Sequence, residues 1–190
     1  MLHLASALSL MHNGIKHPLD KQKQLPGWDT IVHLDVKLEN VFISQKRAKG
    51  HEDDEYPTIV LGDFGCAVRK SDIDEGRIEP LGQPFGTPGW DPPEFDRRPG
   101  AVKKAFGRPT DIYLLGEVLH CMCRLLLLPD KQKMGKSPCG TNYSLHLNKL
   151  VMFCLNEDPL TRPTAVDLVE KMREWKKLPE EAKVSGESGA

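Results

Sequence analysis

The stretch Ile31-Val-His-Leu-Asp-Val-Lys-Leu-Glu-Asn-Val-Phe-Ile43, echoed downstream by Ile59-Val-Leu-Gly-Asp-Phe-Gly65, decides how this chain is read. An acid (Asp35), a base (Lys37) and an amide (Asn40) fall within six residues, bracketed by apolar runs short enough to be buried strand ends. A loop of this kind gathers polar groups on a rigid rim. Phosphoryl transfer asks for a carboxylate to take the nucleophile's proton, a cation against the moving phosphate, and oxygen ligands for magnesium. Asp35, Lys37 and Asn40 supply the first two and one ligand; Asp63, placed after a second apolar run, offers a carboxylate for the metal.

Composition bounds the rest. The chain has 190 residues, 39% apolar and 28% charged, enough for one sizeable core and one domain. A formal net charge of -1 gives no field that would draw it to nucleic acid or an acidic membrane. No apolar run approaches the roughly 20 residues of a membrane span. The start, Met1-Leu-His-Leu-Ala-Ser-Ala-Leu-Ser-Leu-Met11, lacks the basic region of a signal peptide and reads as a helix. Five cysteines (Cys66, Cys121, Cys123, Cys139, Cys154) are scattered without zinc-type pairing, as reduced thiols are. An intracellular protein, cytoplasmic or nuclear, is expected.

Outward from the opening stretch, Leu2, Leu4, Ala5, Leu8 and Met11 give a helical apolar face closed by Asn13-Gly14. His17 to Gly27 is polar and proline-punctuated, a solvated insertion or a docking loop. Val41 to Ile43 and Pro57 to Leu61 read as paired strands. Between them, Gln45 to Tyr56 is a charged hairpin tip whose acidic run lacks the ligand spacing of a calcium loop. Glycines throughout Asp63 to Glu94 predict irregular backbone able to approach a ligand closely. Thr110 to Leu128, with Thr110 as N-cap candidate, is apolar nearly all round and predicts a core helix. Leu145 to Leu155 and Pro163 to Trp175 predict two amphipathic helices, and the small, polar residues after Lys177 a disordered tail.

The H-x-D-x-K-x-x-N pattern of His33 to Asn40, followed by Asp63-Phe64-Gly65, resembles the catalytic core of the eukaryotic protein kinases. Gly86-Thr-Pro-Gly-Trp-Asp-Pro-Pro-Glu94 is similar to their peptide-binding loop and A-P-E end, with Pro92 where alanine is usual. Asp158-Pro-Leu-Thr-Arg-Pro163 resembles their D-P-x-x-R-P signature. The resemblance implies a mainly α fold over residues 1–177, a kinase large lobe with a small β-hairpin carrying the catalytic and D-F-G loops, and a tail at 178–190. It implies a serine/threonine protein kinase that moves the ATP γ-phosphate to a hydroxyl of a protein substrate. In that scheme Asp35 is the base, Lys37 faces the transferred phosphate, and Asn40 with Asp63 holds Mg2+, these last three contacting the nucleotide. Thr87 contacts Asp35 and Lys37, favouring serine and threonine over tyrosine, and Gly86 and Trp90 share the substrate loop with it. His33 is a packed structural histidine, Asp111 anchors the catalytic loop, caps its own helix or does both, and Arg162 meets Glu94.

The chain also departs from that pattern. Only 32 residues precede His33, and they contain no G-x-G-x-x-G turn, no V-A-I-K-like lysine and no partner-helix glutamate, so the small lobe is expected to be absent. A non-catalytic scaffold using the Gly86 to Glu94 loop is the alternative reading. Leu34 stands where the family often has an arginine that binds an activation-segment phosphate, so activity should not depend on phosphorylating Ser71 through that contact.

Overall fold

A computed structural model describes residues 1–15, 24–44, 57–79, 85–96 and 105–177. Most of the expected connection, from His17 to Lys23, the charged tip over Gln45 to Tyr56 and the tail from residue 178 lie outside the described residues.

Helix α1 (Leu2–Asn13) buries Leu4, Ala5, Leu8 and Met11 on one side, the residues whose spacing predicts it. It ends on Gly14 in the left-handed region, φ 66, whose N–H reaches the Leu10 carbonyl at 2.7 Å. The last carbonyls of the helix are taken by the next segment: Trp28 Nε1 donates to Met11 O at 3.0 Å and Thr30 Oγ1 to His12 O at 2.9 Å. Residue 14 must therefore be small, because a Cβ there would stand 2.5 Å from the Trp28 ring. This join aims the chain into β1 (Ile31–Val32) and the polar loop beyond it.

Two small antiparallel sheets frame that loop. β2 (Val41–Ser44) pairs with β3 (Thr58–Leu61), as the apolar runs predict, with Val41 opposite Leu61. β1 pairs with β4 (Val68–Arg69), which leads straight into a short helix, α2 (Lys70–Asp74). The second pairing and α2 are missed by sequence reading, since two-residue strands carry no period and the neighbouring glycines predict only irregular backbone.

Helix α3 (Arg108–Arg124) runs through the centre, buried from Thr110 to Cys121. It differs from expectation at both ends. Its N-cap is Gly107, with Pro109 in the first turn; Thr110 is one turn in, its hydroxyl accepting the Gly107 N–H at 3.0 Å. It stops at Arg124 because Leu125 turns left-handed, φ 54, and the Leu126 N–H returns to Cys121 O at 2.9 Å. The apolar run therefore leaves the core, with Leu125 91% and Leu127 86% exposed.

Helix α4 (Leu145–Cys154) is capped by Ser144. It approaches α3 so closely at Gly116 that a Cβ would lie 2.9 Å from Cys154 Cβ. Helix α5 (Ala165–Lys177) starts two residues later than predicted. Thr164 and Asp167 cap it reciprocally, Asp167 N–H to Thr164 Oγ1 at 3.2 Å and Thr164 N–H to Asp167 Oδ2 at 2.9 Å.

The main core joins Leu4 and Leu8 of α1, Leu114, Leu115 and Val118 of α3, Leu150 of α4 and Leu168 of α5. A second cluster, Val32, Leu34, Val68, Phe95 and Phe106, lies beneath the two-residue strands. Among the described residues the architecture is mainly helical with two small sheets, and no helix is long and apolar enough to cross a membrane.

Candidate functional site

The polar loop is held from below by Asp111, fully buried in α3. Its Oδ2 accepts the His33 N–H and its Oδ1 the Leu34 N–H, both at 2.8 Å, and His12 Nε2 of α1 lies 2.8 Å from Oδ2. The carboxylate faces the loop across α3 instead of capping its own helix. It also accounts for an unusual backbone: Leu34 sits at φ 64, a left-handed conformation costing an L-residue about 1–2 kcal/mol. Two charge-assisted bonds to consecutive amides offset that strain. The Leu34 side chain, 0% exposed, fills the second cluster.

On the other side the loop meets Gly86. This residue has φ 73, and a Cβ there would lie 2.8 Å from the Leu34 carbonyl, so glycine is required by both conformation and contact. The close approach delivers Thr87 to the acid. Thr87 Oγ1 donates to Asp35 Oδ1 at 2.8 Å and accepts from Lys37 Nζ at 2.5 Å, while Lys37 Nζ lies 3.0 Å from Asp35 Oδ2. Asn40 Nδ2 donates to Asp35 O at 2.8 Å and Oδ2 at 3.2 Å. Asp35, Lys37, Asn40 and Thr87 thus form one network at the edge of the core, with the Asp35 and Lys37 side chains 8% and 15% exposed.

His33 links this network to the second motif. Its Nδ1 accepts the Asp35 N–H at 3.3 Å, which puts the ring proton on Nε2, and Nε2 donates to Gly62 O at 3.1 Å. The ring is 0% exposed and tilted against Phe64 at 5.1 Å. Gly62 is gripped twice, since its N–H reaches Asn40 O at 2.9 Å. Asp63 follows at φ 58, exposed, with Oδ1 accepting the Gly65 N–H at 3.2 Å.

The donor set suits a hard cation. With Nδ2 of Asn40 committed to Asp35, its Oδ1 is left as an acceptor, and Asp63 adds an exposed carboxylate. Among the described residues no group of three or more His, Cys, Asp or Glu could hold a metal by itself. Two oxygen side chains, with the other positions left to water and phosphate oxygens, is the pattern of Mg2+, which seldom sits in an all-protein cage.

Glu94 and Arg162 meet in a buried bidentate pair, Nη1 to Oε1 at 2.5 Å and Nη2 to Oε2 at 3.1 Å. Thr110 Oγ1 also donates to Glu94 Oε1, and Arg162 spends its other donors on the carbonyls of Pro109, Asn156 and Glu157. Trp90 differs from expectation. It is 1% exposed and packed in the main core, where the loop folds back over apolar residues, so its indole is unavailable to a substrate.

Sequence reading missed three groups. His12 has no local signal, because its partner is 99 residues away. Asp29 accepts from the Ser71 hydroxyl at 2.5 Å and the Ser71 N–H at 3.2 Å, pinning α2 to the approach of the polar loop. Glu117, fully buried in α3, is ion-paired to Lys131; burial pushes its carboxyl up to about 7 against the pull of that lysine. An acidic residue within the otherwise uncharged stretch Ile112 to Leu119 was its visible signal.

A family model described as protein kinase domain matches residues 28–173. The chain is similar to a Wee1-like protein kinase of Arabidopsis thaliana, 26% identical over 165 residues, covering 82% of this chain and 28% of that protein. It is similar to the putative serine/threonine-protein kinase R436 of Acanthamoeba polyphaga mimivirus, 22% identical over 94% of this chain and 56% of that protein. The serine/threonine-protein kinase Nek2 of Homo sapiens is 28% identical over 76% of this chain and 30% of its own length. The chain spans little more than half of these relatives at most.

Proposed function

This chain belongs to the protein kinase domain family, and from that premise we propose that residues 1–177 form the large lobe of a serine/threonine protein kinase that transfers the ATP γ-phosphate to a protein hydroxyl. The single observation carrying this reading is the Asp35–Thr87–Lys37 network, which holds a carboxylate and a cation side by side at the rim of a peptide-sized loop.

Asp35 Oδ1 keeps a lone pair beside the Thr87 contact, and there it accepts the proton of the incoming serine or threonine hydroxyl as the new oxygen–phosphorus bond forms and the bond from the γ-phosphorus to its bridging oxygen breaks, releasing ADP. Lys37 balances charge on the phosphoryl group in transit, and its bond to Thr87 couples the position of the substrate loop to that cation. Asn40 Oδ1 and Asp63 are the oxygens that would hold Mg2+, which when bound neutralises phosphate charge. His33 keeps the acid and the Asp63 turn in fixed relation by bonding both, without touching substrate. Beside Asp63, Phe42 and Val60 pair across β2 and β3 and are 52% and 43% exposed, an apolar surface suited to a nucleobase that a second lobe would cover.

The test is Mg2+-dependent phosphate transfer from ATP to a serine/threonine protein substrate, run on this chain and on a version that supplies an ATP-clamping lobe ahead of it. Asp35→Asn should lower transfer about 10²–10⁴-fold in the active form. Absence of transfer from the two-lobed form, or survival of full activity in Asp35→Asn, would overturn the reading.

A further inference from the structure

The segment after α3 lies against the loop that carries Thr87. A Cβ on Gly89 would stand 3.2 Å from Leu128 Cδ2, and Lys131 Nζ donates to the Asp91 carbonyl at 3.1 Å. The same ammonium donates to the Tyr113 hydroxyl at 3.3 Å and pairs with Glu117 Oε1. An ammonium has three N–H donors, and these three acceptors take all of them. It also lies 4.9 Å from the centre of the Tyr113 ring, whose environment further includes the Arg162 guanidinium at 4.8 Å.

Glu117 gives this arrangement its direction. It is fully buried, and its Oε2 has no hydrogen-bond partner. A half-satisfied buried carboxyl weakens a core unless it performs another task. Its visible task is to hold the half-exposed Lys131 in one place. Asp91 is where a tether is needed. It lies between buried Trp90 and Pro92-Pro93; its Oδ2 is already used within the loop, accepting the Gly89 N–H at 3.0 Å, and the prolines bring no N–H, so its carbonyl is the handle that a donor from outside the loop takes. At the far end of the same loop Thr87 is bonded to Asp35 and Lys37.

We propose that Lys131, held by Glu117, is a positioning residue for the peptide substrate: through the Asp91 carbonyl it holds the Asp91 part of the Gly86 to Glu94 loop, while Thr87 is kept beside Asp35 and Lys37 by its own bonds. The inference rests on the phosphotransfer reading above and adds a residue that acts through the loop without touching substrate.

The informative variant is Lys131→Met combined with Glu117→Gln in the full chain, joined to the ATP-clamping lobe for kinetics. Methionine keeps the apolar stem, and glutamine avoids stranding a buried charge. The KM for a serine-containing peptide should rise about tenfold, the scale of one charge-assisted hydrogen bond. The KM for ATP, kcat and the unfolding midpoint should stay within about twofold or a few degrees of the parent. Lys131→Arg, which keeps donors within reach of Asp91, should restore the peptide KM. Amide hydrogen exchange in residues 86–96, read on the chain by itself, should accelerate about tenfold in the double variant. An unchanged peptide KM with unchanged exchange would overturn the proposal, as would a parallel fall of kcat, ATP affinity and melting temperature, which marks a folding role only. If the two-lobed parent transfers no phosphate, the kinase reading fails, and the exchange measurement still decides whether Lys131 holds the loop.

Discussion

Removing the Asp111 carboxylate should release the polar loop. Its two oxygens satisfy the amides of His33 and Leu34 at 2.8 Å each and face His12 Nε2 at 2.8 Å, all in a fully buried setting. Asp111→Ala leaves up to three donors without an acceptor, each about 1–3 kcal/mol when buried and unmet. Part of that is returned as Leu34 relaxes from φ 64, a release of about 1–2 kcal/mol, and as water enters the space. The net expectation is a loss of roughly 3–5 kcal/mol, a large share of a typical domain's stability. Asp111→Asn keeps the shape but turns an N–H donor toward one of the two amides, so one buried donor is stranded and roughly 2 kcal/mol is lost. Urea unfolding gives the stability change as a shift in midpoint at constant slope. His12→Ala is the internal control: it removes one partner while both amides keep theirs, and should cost less than Asp111→Ala. A loss below about 1 kcal/mol for Asp111→Ala, or no difference between it and His12→Ala, would refute the account.

Gly86→Ala should destabilise by about 1–2 kcal/mol from φ alone and displace Thr87, because the new methyl meets the Leu34 carbonyl; thermal melting and phosphotransfer together check this. Arg162→Met should cost about 3–5 kcal/mol by leaving Glu94 charged and buried, whereas Arg162→Met with Glu94→Gln should be milder, so a double-variant cycle in urea separates the pair from its surroundings. Glu117 titrates near 7 when folded and near 4.5 when unfolded, raised by burial and by Asp91 and lowered by Lys131 and Arg162, with Tyr113 also against Lys131. Between those values the folded state holds the extra proton, so stability falls as pH rises from about 4.5 to about 7 and this contribution is flat above that; Glu117→Gln should remove that component of the slope in pH-dependent unfolding. Activity should not depend on a phosphate on Ser71 acting through residue 34, because Leu34 is buried in an apolar cluster and offers no cation; a large phosphate-dependent rate increase that Ser71→Ala abolishes would contradict this.

The parts of the site legible in sequence are those whose chemistry sits within a few residues. His33 to Asn40 and Asp63 to Gly65 each carry their polar groups on a short loop between apolar runs, so residue type and spacing already imply what they can do. The helical cores of α1, α4 and α5 were legible for a similar reason, since burial on one face imposes a period on the chain. Helix ends were less so: the run to Leu128 looks helical by composition, and only the left-handed turn at Leu125 ends it early. Trp90 looks like a substrate contact by its place in a motif, yet the loop's fold turns it into the core. Sequence by itself determined the chemical inventory and most of the helical frame. Tertiary structure alone decided which further groups meet: Asp111 with His12 across 99 residues, Ser71 with Asp29 across 42, and Lys131 with the Asp91 carbonyl across 40. Local spacing encodes periodicity and turn geometry, whereas such contacts exist only once helices and loops pack and a buried charge must find its partner.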